Sequence, residues 1–380
     1  MKITKVFYLT MTLLMTAMLL LPASCSRETE VPTSESNRWL ELLRVLPENE
    51  NTIKAAYLSD WAYSAEKMPE AEYAVGHSIP LFQRVVPIGP GGELKENLGF
   101  SGDEITSVIY AGALPVNYYQ AVRGDFNRED VDNAAKTGPM NEKLELEVIT
   151  YKGHDFYSWG EDFEINLAMR SNIRPLGRGH RLALVDDFIF WVLWTDGIKE
   201  MIDSYEGNIP SLADNEDYWL LAGALEELDT VTAFFSAESQ SQSHIKEVYK
   251  GMLEEPSNER QQLFTEEVER QVRLKPYQAL ATGAGIDEKG YYLAIALLNP
   301  SEELARENAT LLEQRINQSK IAMAWHSQSG DKWSDLIESM EIESKGRLTL
   351  ARLYGAVVEC WVNFNVMGIM GPYEPLLIHE

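Results

Sequence analysis

Cysteine is almost absent: the 380 residues contain two, Cys25 and Cys360. With Cys25 at the end of a leader, no internal disulfide remains, so packing alone must hold the fold. Cys360 stands in the apolar stretch "AVVECWVNF" and reads as an inert core thiol. Basic residues are also short, with 33 Lys and Arg against 59 Asp and Glu, a formal charge of −26. Such a field repels phosphate backbones, which excludes a nucleic-acid partner, and it keeps the surface well solvated. Histidine is sparse: His77, His154, His180, His244, His326 and His379. None forms an H-E-x-x-H pair or neighbours a cysteine at zinc spacing, so no metal and no cofactor is expected. His154 and His180 are the pair that a site assembled in space would use. No G-x-S-x-G elbow exists, and "GPGG" lacks the lysine and helix of a phosphate loop. The adjacent acids Glu161–Asp162, Asp186–Asp187 and Glu226–Glu227 are what so acidic a chain contains by chance. "DFNRED" has a calcium-loop start at Asp125, Asn127 and Glu129. It lacks the glycine at position six and the closing glutamate, so helix capping explains it better.

What is present begins at the N-terminus. Lys2 and Lys5 precede "VFYLTMTLLMTAMLLL", an uncharged run that ends in Pro22, Ala23, Ser24 and Cys25. A basic end, an apolar centre and small residues before a break make an export signal. The break resembles the lipobox of bacterial lipoproteins, in which cleavage leaves the cysteine as the new N-terminus carrying a diacylglycerol. Pro22 stands where that pattern usually has leucine, and Leu21 lies one step earlier. The resemblance implies Cys25 as the lipid (palmitate) attachment residue and membrane lipid as a partner. An uncleaved anchor needs about 20 apolar residues, and simple secretion is the third reading. Residues 1–24 are therefore read as a lipoprotein signal peptide. Residues 25–37, with "SRETEVPTSESN", are read as a flexible tether.

Beyond the tether the grammar is strands in hairpins with helices between them. "NRWLELLRVLPENEN" predicts a helix ended by Pro47, and "TIKAAYLSD" a strand. "VVPIGPGGELKENLGFSGDE" predicts a loop. "ITSVIYAGAL" and "VNYYQAVRG" predict strands, followed by a helix capped at Asp125 or Asn127 and stopped by Gly138. "LELEVITYKG" with "HDFYSWG" predicts a hairpin turning at Lys152–Gly153. "HRLALVDD" with "FIFWVLW" predicts another, turning at Asp186–Asp187. Helices are expected from Thr195 or Asp196, and from Ser211 with Asp214 completing a capping box. "DTVTAFFSAE" predicts a strand and "NERQQLFTEEVERQVRLK" an amphipathic helix. "YYLAIALLNP" predicts a strand leading into a helix capped by Asn299, with Pro300 first and Glu302 in the box. "KIAMAWHS", "WSDLIESMEIESKG" and "RLTLARLYGAV" predict further strands, and the apolar C-terminus is expected to pack on the body. This is an α+β fold of antiparallel β-hairpins interleaved with covering amphipathic helices, in two similar units, 38–240 and 241–380, parted near Gln240.

The succession "YYQAVRGDFNREDVDNA", "YKGHDFYSWGED" and "ALVDDFIFWVLWTDGIKEMIDSYEGNIPSLADNEDYWLLAGAL" is similar to a group of uncharacterised extracytoplasmic bacterial lipoproteins. The closing "WSDLIESMEIESKGRLTLARL" adds to the likeness. The shared motifs are turns, caps and core residues, so the resemblance implies no activity and no catalytic residue. The expected function is that of a membrane-anchored extracytoplasmic lipoprotein with a non-enzymatic binding or scaffolding role toward an envelope protein or glycan. The alternative is an extracytoplasmic carboxylate-dependent hydrolase or glycan-active enzyme. It would need two carboxylates facing across a cleft, whereas Trp191 or Trp194 exposed beside acids would favour carbohydrate binding.

Overall fold

In the computed structural model, the described residues are 37–67, 92–113, 117–142, 144–170, 175–238, 240–241, 243, 269–319, 332–358, 361 and 375–380. Cys25, Cys360, His77, His244, His326, "KIAMAWHS" and most of "NERQQLFTEEVERQVRLK" lie outside them. Twelve strands form one sheet in which every neighbouring pair is antiparallel. They are β1 (Ala56–Asp60), β2 (Ile105–Ala113), β3 (Asn117–Gly124), β4 (Leu146–Tyr151), β5 (His154–Trp159) and β6 (His180–Val185). They continue with β7 (Phe188–Val192), β8 (Thr232–Ser236), β9 (Ala279–Asp287), β10 (Gly290–Leu298), β11 (Ser339–Lys345) and β12 (Leu348–Tyr354). Their order across the sheet is β11-β12-β10-β9-β8-β1-β2-β3-β7-β6-β5-β4. The α+β class read from the sequence is the class observed.

Eight α-helices are described: α1 (Arg38–Leu43), α2 (Trp61–Lys67), α3 (Gly92–Leu98), α4 (Arg128–Thr137), α5 (Thr195–Tyr205), α6 (Glu216–Glu227), α7 (Glu302–Gln318) and α8 (Trp333–Leu336). They cover both faces of the sheet, so the body has three layers. On one face, Trp39 and Leu42 of α1, Ile198 and Ile202 of α5, and Tyr218 and Leu221 of α6 pack against Leu58, Ile109, Phe190 and Phe235. On the other, Leu94 and Leu98 of α3, Val131 of α4, Leu312 and Ile316 of α7, and Trp333 of α8 pack with Tyr57, Trp159 and Ile295. Leu376 and Leu377 join that second core, so the described end of the C-terminus does pack on the body.

Register shows how continuous the sheet is. One rank on the second face runs Ile342–Ala351–Ile295–Thr282–Phe234–Tyr57–Tyr110–Gln120–Trp191–Leu182–Tyr157–Val148, each residue paired with the next. Two contacts span the boundary placed near Gln240. β8 and β9 pair across it, Gln240 is buried, and its carbonyl accepts from the His379 amide at 3.1 Å. The described residues all fall in one compact unit, Thr33–Glu380.

Local chemistry sets most boundaries. Asn127 caps α4 through its side chain, and Gly138 closes it. Lys152 (φ 49°) with Gly153 (φ 89°), and Asp186 (φ 51°), take the left-handed conformations that tight hairpins demand. Several expectations shift. α3 lies inside the stretch read as loop, because Leu94 and Leu98, four residues apart, both reach the core. α5 starts after Trp194 with no side-chain cap of its own; instead Asp162 Oδ1 accepts from the Thr195 amide at 2.9 Å. The Ser211–Asp214 box closes only a short 3-10 turn, and Asn215 then caps α6. Ser301, not Asn299, caps α7. Asn299 is buried instead, donating from Nδ2 to Leu297 O, Arg347 O and Thr349 Oγ1 and accepting from Asn308.

Candidate functional site

A groove lies on the first face, between α1, the end of α5 and the turn into α6. It encloses about 750 Å³. Asn37, Arg38, Leu40, Glu41 and Arg44 form one wall; Ser204, Gly207, Ser211, Ala213, Asp214 and Trp219 form the other. These residues sit there for local reasons. Asn37 Oδ1 accepts from the amides of Trp39 and Leu40 at 3.0 and 3.1 Å, which starts α1 and fixes its wall. Ser204 Oγ donates to the Arg44 carbonyl at 2.9 Å, tying the helix end to α5. The amide and hydroxyl of Ser211 both donate to Asp214 Oδ2 at 2.8 Å and set the opposite wall.

Electrostatics inside the groove are lopsided. Its two acids are engaged: Glu41 pairs with Arg123 at 3.0 Å, and Asp214 is held by the Ser211 turn. Arg44, by contrast, has no carboxylate within ion-pair distance among the described residues. Its Nε and Nη2 donate to the Tyr205 carbonyl at 3.1 and 2.8 Å, and its guanidinium lies 5.0 Å from the Tyr205 ring centroid. Asn37 is buried, and its Nδ2 has no hydrogen-bond acceptor among the described residues. Leu40 and half-buried Trp219 add apolar surface. The groove therefore offers hydrogen-bond donors and one uncancelled positive charge beside a flat aromatic, a set suited to holding an acceptor-rich or anionic molecule.

Behind the groove, Arg38 gathers a second cluster. Its Nε lies 3.5 Å from Glu226 Oε2, and its guanidinium stacks 3.8 Å from the Tyr63 ring centroid. Burial pushes the Glu226 carboxyl above its ordinary value; Arg38 opposes this, and Asp229 and Asp60 reinforce it. Burial likewise pushes Asp60 up, against the Tyr63 amide that donates to it at 3.0 Å. Asp229 moves the other way, because hydrogen bonds from Lys67 and Tyr63 outweigh its burial. Two carboxyls that hold protons more readily than usual are the raw material of acid–base chemistry. Neither Asp60 nor Glu226 lines the groove.

The structure disperses the residues singled out in the sequence. His154 meets Glu206 at 2.9 Å near the start of β5. His180 opens β6, buried, its Nδ1 accepting from Trp191 Nε1 at 2.7 Å. The two do not form a joint site, and among the described residues no group of three or more His, Cys, Asp or Glu is placed to hold a metal ion. Each acidic pair is spent on structure. Asp162 binds Arg181 at 2.7 Å, Asp186 accepts from Tyr205, Asp187 binds Arg123, and Glu227 binds Lys345 at 2.6 Å. Trp191 is buried. Half-buried Trp194 stacks on Phe163 at 5.4 Å and meets Tyr119 edge-on. Sequence reasoning missed Asn37, Arg44 and Trp219. Their only common signal is position in two segments some 160 residues apart.

Among the described residues no helix is long and apolar enough to cross a membrane. No family model matches the chain, and no curated protein matches it. Solved structures of TP0453 show a loose likeness. Crystal form I aligns with a TM-score of 0.39 at 10% identity, covering 87% of this chain and 98% of that one. Crystal form III gives 0.38 at 10% identity over 84% and 97%, and crystal form IV gives 0.37 at 9% over 86% and 100%. Likeness at this level carries no argument about function.

Proposed function

We propose that this chain is an envelope lipoprotein, exported and held at a membrane through Cys25, whose body binds an acceptor-rich or anionic ligand in the groove between α1 and α6. The address rests on the leader and its Pro-Ala-Ser-Cys end. A diacylated cysteine buries two acyl chains at about 0.8 kcal/mol per CH2, which makes a firm anchor. Eleven residues lie between Cys25 and Asn37 at the groove wall, a reach of about 40 Å when extended. The observation that carries the binding role is Arg44, a guanidinium without a carboxylate partner among the described residues of a chain of charge −26, lining a groove of about 750 Å³.

Two experiments test the two halves separately. Palmitate labelling of the expressing cells marks the full-length protein, and Cys25→Ala abolishes the label; a label that persists contradicts the anchor. Acidic and neutral oligosaccharides of equal length are then titrated into the purified body by calorimetry. The acidic one binds, and Arg44→Gln weakens it about tenfold or more, as loss of a charged hydrogen bond implies. Equal binding of the neutral sugar, or indifference to Arg44→Gln, contradicts the groove.

The hydrolase reading keeps one specific support, the raised carboxyls of Asp60 and Glu226. It requires glycan cleavage that Glu226→Gln eliminates.

A further inference from the structure

The two edges of the sheet are finished differently. At the β11 edge, Glu341, Glu343 and Lys345 line the strand, Lys345 reaches Glu227 at 2.6 Å, and half-buried Ile342 packs against the core. Charged side chains and a covering helix are how exposed edges are kept from pairing. At the β4 edge, helical cover among the described residues is confined to the end of the strand, where the Tyr151 hydroxyl donates to Asp203 of α5 at 2.8 Å. β4 carries a single charge, Glu147, and its backbone has one neighbour, β5, among the described residues.

Exposed apolar surface lies on β4 and on the connection that follows its partner strand β5. The large apolar side chains left exposed among the described residues are Val148 (46%), Phe163 (41%), Ile165 (58%), Leu167 (65%) and Leu176 (40%). Val148 is on β4, and the other four are on the connection from β5 to β6. The described residues of this connection are held by specific contacts. The Asn166 amide donates to the Leu176 carbonyl at 3.1 Å, and Phe163 and Leu176 hold left-handed φ values of 59° and 65°, which bulky residues rarely adopt. A Cβ on Gly177 would overlap the Asn166 carbonyl, so the turn needs glycine there. Phe163 is anchored past β7, its ring on Trp194 and its amide on the Leu193 carbonyl at 3.1 Å, which leaves Val148 on β4 and Ile165, Leu167 and Leu176 on the connection as the exposed apolar side chains to be explained.

Charge selects the occupant. From Leu144 to Arg170 the chain carries six carboxylates against Lys152 and Arg170, and Lys152 is already paired with Asp203 at 2.6 Å. An acidic rim repels anionic headgroups and a second copy of a chain of charge −26. The geometry points to a strand-accepting site at β4: a cationic, apolar extended segment of another envelope protein adds to the sheet edge. Its main chain pairs with β4, its apolar side chains cover Val148, Ile165 and Leu167, and its cations meet the rim. This surface is distinct from the groove and does not depend on the ligand proposed for it.

The probe is a labelled twelve-residue peptide alternating valine and lysine, titrated by fluorescence anisotropy against the full chain. It is expected to bind saturably and to weaken as salt is raised. Val148→Lys, which places a cation on the open edge, and the pair Ile165→Ser with Leu167→Ser should each weaken binding about tenfold or more. Ser344→Lys on the opposite edge should leave it unchanged. Sedimentation with anionic vesicles and measurement of oligomeric state complete the test. Any of four results overturns the proposal: equal binding by a valine–glutamate peptide, equal loss with Ser344→Lys, indifference to the β4-edge variants, or vesicle binding or self-association that those variants abolish.

Discussion

The rank of residues that crosses all twelve strands ends in Ile342 on one side and Val148 on the other. Both are β-branched aliphatics on the same face of the same sheet. Ile342 is half-buried in the second core, where α7 contributes Leu312 and Ile316. Val148 is left exposed. Propensity and pattern are alike at the two ends, so what differs is the covering layer and the charge along the strand. An edge is closed by what lies over it, not by the strand itself.

That comparison can be broken or sharpened by substitution. The largest effect is expected at the seam that joins the two flanks. Phe234 on β8 is fully buried and packs 4.6 Å from Tyr57 on β1. Phe234→Ala should cost about 3–5 kcal/mol, and denaturant unfolding followed by fluorescence and by circular dichroism should remain one coincident transition. Two separated transitions would show that the flanks fold independently and that the edges belong to separate bodies.

Next is Asn299, which links β10, β12 and α7 on the covered side. Asn299→Ala strands several buried polar groups and should cost about 1–3 kcal/mol. Hydrogen exchange should locate the loss in the β11–β12 hairpin, with β4–β5 unchanged.

A pH-dependent effect follows from Asp60 at the end of β1. Its folded carboxyl titrates above the ordinary value because of burial. The stability it contributes is therefore complete in acid and is lost as pH rises through the raised value. Asp60→Asn mimics the protonated form, so the melting temperature of the variant relative to the parent should climb between pH 4 and pH 7. A constant difference would mean that Asp60 is not strained by its ionisation.

The smallest effect is expected at the open side. Leu167→Ser removes an exposed side chain and should change stability by no more than about 0.5 kcal/mol. A larger loss, measured by denaturant titration, would mean that the apolar crest packs on something and is not free for a partner.

How much of this was readable follows from range. Hairpins closed by Lys152–Gly153 and Asp186–Asp187, and the Asn127 cap, are local events whose residues neighbour one another in sequence. β9, with the sequence "ALATGAGID", was not foreseen, since alanine and glycine are poor strand formers. Its glycines answer to neighbouring strands: Gly283 faces the Thr232 carbonyl of β8, far back in sequence, and Gly285 lies under the Tyr292 ring across the β9–β10 hairpin, where a Cβ would not fit. Asn299 looked like a cap because Ser301, two residues on, supplies the same chemistry; its burial depends on Arg347 and Asn308. The groove was invisible for the same reason, since Arg44 and Trp219 meet only when α1 docks beside α6. The exposed crest could not be told from core, because Ile165 and Leu167 read as any apolar pair until burial is known.

Hydrogen exchange of the full chain, with and without the valine–lysine peptide, tests the unequal edges most directly. Alternate amides of β4 should slow in the presence of the peptide while those of β11 keep their rates. Slowing at both edges alike, or at β11 alone, would contradict the account.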